Sequence, residues 1–281
     1  MTLLQGIVLF IAAMLGGLLN SVAGGGSFIS FPALIFTGVP SINANTTSTV
    51  ALWPGSVAST GAYRKELAAQ NRVIMLALSA PSLVGGVFGA ILLLNTPPAT
   101  FTRLIPYLLL LATLLFTFGN PIMTRLRARK LDVDVAASGN PSPSNDPLPS
   151  RASGEANIAR PSWLTLSGIA LLQLIIATYG GYFGGGIGIL MLATLGLMGM
   201  QNIHEMNGLK TFLTSVINGV AVIAFAIARK VFWPQAILMI VGAIVGGYAG
   251  AYYARQLDQR LVRGFVILVG FGMTIYFFLH S

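Results

Sequence analysis

The stretch from Leu3 to Thr37 sets the first limit on the fold. It holds 35 residues, about 52 Å of helix at about 1.5 Å per residue. That is too long for one straight crossing of a hydrocarbon core about 30 Å thick. The run must break, and Gly24-Gly25-Gly26 supplies the place, because glycine reaches backbone conformations closed to other residues. The same reasoning holds from Trp163 through Gly184-Gly185-Gly186 to Met198. Each triplet is therefore expected to lead into a short broken or re-entrant helix, over 27–38 and 187–198. Irregular backbone of this kind is tolerated at membrane depth only where protein or water surrounds it.

The rest of the chain agrees with a membrane setting. Eight long apolar segments follow one another at about 3–22, 44–63, 73–94, 102–120, 163–182, 206–228, 234–254 and 261–279. Only 8% of the 281 residues are charged and 55% are hydrophobic, against about 25% charged in a soluble domain, so there is too little charge to cover a water-facing surface. The net charge of +9 does not point to nucleic acid, because the basic residues sit at the ends of apolar segments, where they set topology. The expectation is an all-α polytopic membrane protein, with about eight transmembrane helices in two four-helix repeats. Met1-Thr2 leads straight into Leu3–Leu19 with no basic stretch before it, which reads as an uncleaved first transmembrane helix. Cysteine is absent, so disulfides and thiolate metal sites are excluded.

Residues 121–160 break the pattern. Arg125, Arg127, Arg129 and Lys130 are followed by Asn140-Pro141-Ser142-Pro143-Ser144, and no apolar period survives. This composition reads as a flexible linker between a first transmembrane repeat (1–120) and a second (161–281). Its basic start assigns it to the cytoplasm. Arg64, Lys65 and Arg72 mark the loop after the second long segment, and Arg229 and Lys230 the loop after the sixth. With eight crossings these three loops share one face, and both termini join them there. Arg255, Arg260 and Arg263 then fall on the opposite face. A full crossing by one of the short segments would change the count and invert the orientation.

Internal repetition is the strongest organisational signal. Val84-Gly85-Gly86-Val87-Phe88-Gly89-Ala90 matches Val245-Gly246-Gly247-Tyr248-Ala249-Gly250-Ala251 at an offset of 161, and the two glycine triplets match at an offset of 160. Asn45 and Thr49 fall opposite Asn207 and Thr211 at an offset of 162. Repeated halves are a common plan of secondary carriers, with the site at their interface near the midplane. Four crossings per half make such repeats parallel, and an odd number inverts them. Gly85, Gly86, Gly89, Gly246, Gly247 and Gly250 read as packing residues, since small side chains let membrane helices approach closely.

The candidate site residues cluster around the breaks. A glycine triplet that opens a helix presents unpaired backbone N–H groups to an anion, and Ser27 adds a hydroxyl; the plainer reading is a kink that serves packing alone. Polar stretches follow each break. Asn45, Thr46 and Thr49 lie in the first, and Asn207, Lys210 and Thr211 in the second. Neutral amides and hydroxyls suit an oxyanion that is held and then released, whereas Ser41 and Asn202 read as helix caps. Lys210 stands one turn into an apolar segment, where a charge costs about 2.5–3.5 kcal/mol and marks function by default; snorkelling to the interface is the alternative. A Glu205–Lys210 pair is off ideal helical spacing. Asn218 is either a site wall or an interhelical hydrogen bond. His204 and Glu205 are the candidates for proton coupling. Paired carboxylates, a His/Cys metal cluster and a Walker-type loop are all missing from the sequence, so neither an enzyme nor a resident cofactor or metal is expected.

The run Ala23-Gly24-Gly25-Gly26-Ser27-Phe28-Ile29-Ser30-Phe31-Pro32-Ala33-Leu34 resembles the opening motif of the sulfite exporter TauE/SafE family. So does the later run from Gly184-Gly185-Gly186 through His204, Asn207, Leu209-Lys210 and Asn218 to Trp233-Pro234 and Val245-Gly246-Gly247. The resemblance covers both halves, and the linker is long for the family. It implies a permease of the bacterial inner membrane that exports sulfite, sulfoacetate or related sulfur anions. The implied partners are a small anionic substrate and the lipid bilayer, without nucleic acid; assembly into a homo-oligomer stays open. An anion channel and a membrane scaffold subunit without flux are the alternatives.

Overall fold

A computed structural model describes residues 1–22, 24–137, 163–200, 202–253 and 259–280. Among these the elements are α-helices throughout: α1 (Leu3–Val22), α2 (Ser27–Phe36), α3 (Ser41–Ala62), α4 (Arg64–Ala68), α5 (Arg72–Asn95), α6 (Pro98–Ala137), α7 (Trp163–Tyr182), α8 (Ile187–Leu197), α9 (Ile203–Ile227), α10 (Trp233–Tyr253) and α11 (Gln259–His280). Five stretches are long and apolar enough to cross a membrane: Leu3–Val22, Arg72–Asn95, Pro98–Leu115, Ile203–Ile227 and Trp233–Tyr252. The helices after the two glycine triplets have 10 and 11 residues, about half a hydrocarbon thickness. α3 is long enough to cross but is not among the five. Its Asn45, Thr46, Thr47 and Ser48 are buried inside the bundle, so protein and not lipid receives them. α6 continues as helix to Ala137, into the first part of the expected linker; 138–160 lie outside the described residues.

Glycine faces organise the bundle. α10 packs along α1, with Gly242 against the Phe10 carbonyl, Gly246 against the Met14 carbonyl and Gly250 against Leu18. α5 packs along α7 in the same manner, with Gly85 against Ala177 and the Leu174 carbonyl, and Gly89 against the Thr178 carbonyl. The middle glycine of each motif faces a second helix: Gly247 meets Gly55 of α3, and Gly86 meets Ile217 of α9. These glycines are packing residues, as their spacing implies, because a side chain at any of them would meet backbone.

Helix directions follow from the contacts. The Lys230 carbonyl accepts from Asn43 Nδ2 (2.8 Å) and Thr46 Oγ1 (2.7 Å), which fixes the α9–α10 turn at the start of α3. At the other end of α3, Tyr63 and Glu66 pack on Gly208 near the start of α9, and midway Trp53 Nε1 donates to the Ser215 carbonyl (2.9 Å). α3 and α9 are therefore antiparallel. With 22 residues, α3 spans about 33 Å, so the Arg64–Arg72 loop and the Arg229–Lys230 loop lie on opposite faces. This corrects the expectation that they share one. The reason is α2, which doubles back along α1: Gly26 packs on the Gly16 carbonyl, and Leu4, Val8, Pro32 and Phe36 line one groove. A count of long segments omits that reversal.

The termini follow the same logic. Gly6 packs on Leu238 near the start of α10, which puts the start of α1 on the Arg229–Lys230 face. Ser41 Oγ and Thr102 Oγ1 share a 2.8 Å hydrogen bond, so α6 starts there too. α11 runs against α6, with Tyr107 on Phe278 and Thr113 on Gly270, and ends on that face. α6 leaves on the other, so the termini and the linker are on opposite sides rather than together. Ser41 is also not the cap expected of it: Pro40 occupies the N-cap of α3. Asn202 does cap α9, accepting from the His204 N–H at 3.0 Å.

Candidate functional site

Both glycine breaks close by the same local geometry. The Gly24 N–H returns to the Leu19 carbonyl (2.9 Å) and the Gly184 N–H to the Tyr179 carbonyl (3.3 Å), five residues back in each case. Gly24 has φ +81° and Gly184 φ +78°, the left-handed turn that glycine adopts without strain. The chain then re-enters a helix at Ser27 and at Ile187.

The two breaks lie against one another. A Cβ placed on Gly24 would sit 2.5 Å from the Gly188 Cα, and one on Gly184 would come within 3.9 Å of Ser27 Oγ. The starts of α2 and α8 therefore meet inside the bundle. A helix start carries about half a positive charge and unpaired N–H groups, so each contributes positive charge at this junction. The ends of α1 and α7 are there as well, with carbonyls of the opposite sign, and side chains cap them. Asn45 Nδ2 donates to the Tyr182 carbonyl at the end of α7 (2.9 Å). Lys210 Nζ donates to the Asn20 and Ser21 carbonyls at the end of α1 (3.2 and 3.0 Å).

Lys210 is 1% exposed and is the only fully buried charged side chain among the described residues. It does not snorkel, and Glu205 is not its partner. The Glu205 carboxylate accepts from Asn202 Nδ2 (3.0 Å) and Gln70 Nε2 (3.1 Å) at the entrance of α9. Asn207 and Asn218 are 2% and 8% exposed, and the side-chain oxygen of each has no hydrogen-bond partner. With Thr211 and Thr214 they form one stripe along α9.

Other expected site residues are committed elsewhere. Thr46 is tied to the α9–α10 turn through Lys230. Thr49 and Thr211 donate within their own helices, to Asn45 and Asn207 carbonyls at 2.9 and 3.0 Å. Gly25, Gly26, Gly185 and Gly186 are buried at the two breaks. His204 Nδ1 is buried without a partner at the start of α9. Four polar residues join the site without having been singled out. Asn20 donates to Ser56 Oγ (2.8 Å), and Ser30 and Ser48 share a 2.6 Å hydrogen bond beside the Gly26 carbonyl. Asn20 was visible as an amide four residues before the first triplet; the three serines gave no signal above ordinary membrane-helix polarity.

Comparison with known proteins returns one family. The family model described as Sulfite exporter TauE/SafE matches residues 9–277. A probable membrane transporter protein of Haemophilus influenzae is 25% identical over 268 residues, covering 95% of this chain and 92% of that protein. Probable membrane transporter protein ORF9 of Sinorhizobium is 26% identical over 268 residues, 95% and 90% of the two chains. Probable membrane transporter protein YfcA of Escherichia coli is 24% identical over 270 residues, 95% and 87%. No solved structure matches.

Proposed function

The chain belongs to the sulfite exporter TauE/SafE family, and from that premise we propose that it is a permease exporting small sulfur-containing anions: sulfite, sulfoacetate or a related organosulfonate. The anion is held where the two glycine breaks meet, between the halves 1–120 and 161–281. One observation carries this reading: two half-helix starts abut beside Lys210, the sole fully buried charged side chain among the described residues. Two positive helix ends and an ammonium form an anion site inside a low-dielectric bundle. A membrane potential negative inside then drives anions outward by about 2.3 kcal/mol per charge per 100 mV, so export needs no coupling ion. His204 and Glu205, at the entrance of α9, are the groups through which protons would couple. In proteoliposomes, sulfite efflux is expected to saturate and to show counterflow. Flux without saturation identifies an anion channel, and no flux of any anion overturns the reading in favour of a scaffold.

The helix exchange supports an inverted pair of repeats. α1 and α5 pack on α10 and α7 of the other half through matching glycines, and the equivalent helices α3 and α9 run antiparallel. For orientation, the face of Arg64, Lys65 and Arg72 also receives the basic end of α6 and the start of α11, with Arg260 and Arg263; Arg255 lies outside the described residues. The opposite face has Arg103, Arg229 and Lys230. The positive-inside rule assigns the first face to the cytoplasm and both termini to the other side. The chain lacks cysteine, so single-cysteine labelling is clean. Thr2→Cys is expected to react with an impermeant maleimide in whole cells, and Ala69→Cys only after lysis. The reverse pattern inverts the orientation.

A further inference from the structure

We infer that Tyr179 is a positioning residue that fixes which pole of the Gly185–Gly186 peptide is offered to the anion. This rests on the anion-permease reading and adds to it a residue outside the two triplets. Tyr179 grips the second break at two points. Its carbonyl accepts from the Gly184 N–H (3.3 Å), and its hydroxyl donates to the Gly185 carbonyl (2.8 Å). In a trans peptide the C=O and the N–H that follows it point in opposite directions. Holding the Gly185 oxygen on the hydroxyl therefore turns the Gly186 N–H the other way. That N–H has no acceptor among the described residues, and it stands at the start of α8, the positive end of a helix.

The peptide needs a lock because it lies between two glycines. Turning it over changes ψ of Gly185 and φ of Gly186, and neither residue has a side chain to oppose the change. Gly186 is held in the left-handed region, at φ +75° and ψ 0°, and glycine crosses to negative φ without penalty. The turned peptide presents a carbonyl oxygen where the N–H had been, which repels an anion. The first break is secured differently. Its Gly25 carbonyl is taken by the Phe28 N–H (3.1 Å), and Gly26 is already right-handed, at φ −59° and ψ −35°. The residue matching Tyr179 at the offset of 160 is Leu19, which has no hydroxyl. One break is therefore locked by its own helix and the other by a phenol.

The test compares sulfite transport by the parent protein, Tyr179→Phe and Thr178→Val, each whole and in proteoliposomes. Tyr179→Phe keeps the ring that packs on Phe183 (6.4 Å between centroids) and removes the hydroxyl alone. Thr178→Val is the matched control. It removes a neighbouring hydroxyl of α7 that donates to the Leu174 carbonyl at 2.8 Å, within its own helix. The expected result is a sulfite KM roughly tenfold higher in Tyr179→Phe, and a parental KM in Thr178→Val. Binding without turnover, read as the rise in unfolding temperature that sulfite produces in detergent, is expected to shrink in Tyr179→Phe and to persist in Thr178→Val. A hydroxyl that serves the fold alone lowers the unfolding temperature without anion and leaves KM where it was. A parental KM in Tyr179→Phe, an equal rise in both variants, or a Tyr179→Phe protein that does not fold overturns the inference and leaves the permease reading standing. No sulfite flux by the parent protein removes both.

Discussion

Replacing Lys210 by methionine is expected to lower anion transport on the order of 100-fold while the protein still inserts and folds. Methionine keeps the volume of the stem in a site that is 1% exposed, so no large cavity opens. It removes the Lys210 ammonium from the junction of the breaks, and with it the donor that caps the Asn20 and Ser21 carbonyls. The loss of a buried charge makes insertion easier, since lysine at membrane depth costs about 2.5–3.5 kcal/mol. Folding and transport therefore move apart in this variant. Folded yield after detergent extraction and initial rates in proteoliposomes measure the two separately. Unchanged rates would leave Lys210 as a cap of α1 and nothing more.

Gly246→Val is expected to act on stability first, with a loss of about 3 kcal/mol or more, at the upper end of overpacking effects. The new Cβ meets the Met14 carbonyl, and a helix backbone has no rotamer to yield. α1 and α10 must separate, and with them the end of α1 that Lys210 caps. Gly89→Val does the same on the other side, against the Thr178 carbonyl. Gly264→Val is the control: it is exposed, and nothing lies within 4 Å of its added Cβ. Thermal unfolding in detergent should rank Gly246→Val and Gly89→Val far below the parent protein and Gly264→Val close to it. If all three behave alike, the close approach of the helices is not what holds the bundle.

The membrane class, the two breaks and the packing role of the paired glycines were legible in the sequence, because each follows from length, composition or spacing along one helix. The sidedness of the loops was not. It depends on whether 27–38 turns back beside its own predecessor, and the contact that decides this, Gly26 on Gly16, leaves no periodic mark. The partners of Lys210 were hidden for a different reason. They are backbone carbonyls 189 and 190 residues away, and a carbonyl has no sequence signature. Glu205, the carboxylate close in sequence but off ideal helical spacing, is drawn away by Gln70 and Asn202. Thr46 looked like a site residue because it sits beside Asn45. Neighbours on a helix point about 100° apart, and that turn takes Thr46 to Lys230 while Asn45 reaches Tyr182.

The interlaced helices also constrain how the chain is made. Gly17 of α1 rests against Gly247 of α10, a residue that follows it by 230 positions. At about 5–20 residues per second, roughly 10–45 s pass between their synthesis. Throughout that interval the Gly17 face of α1 lacks α10, and the amides and hydroxyls of α3 have neither α9 nor α10 beside them. A newborn first half is thus an unfinished surface that lipid alone cannot solvate. The contacts of α3 with α9 and α10 are therefore closed only after the second half has been made.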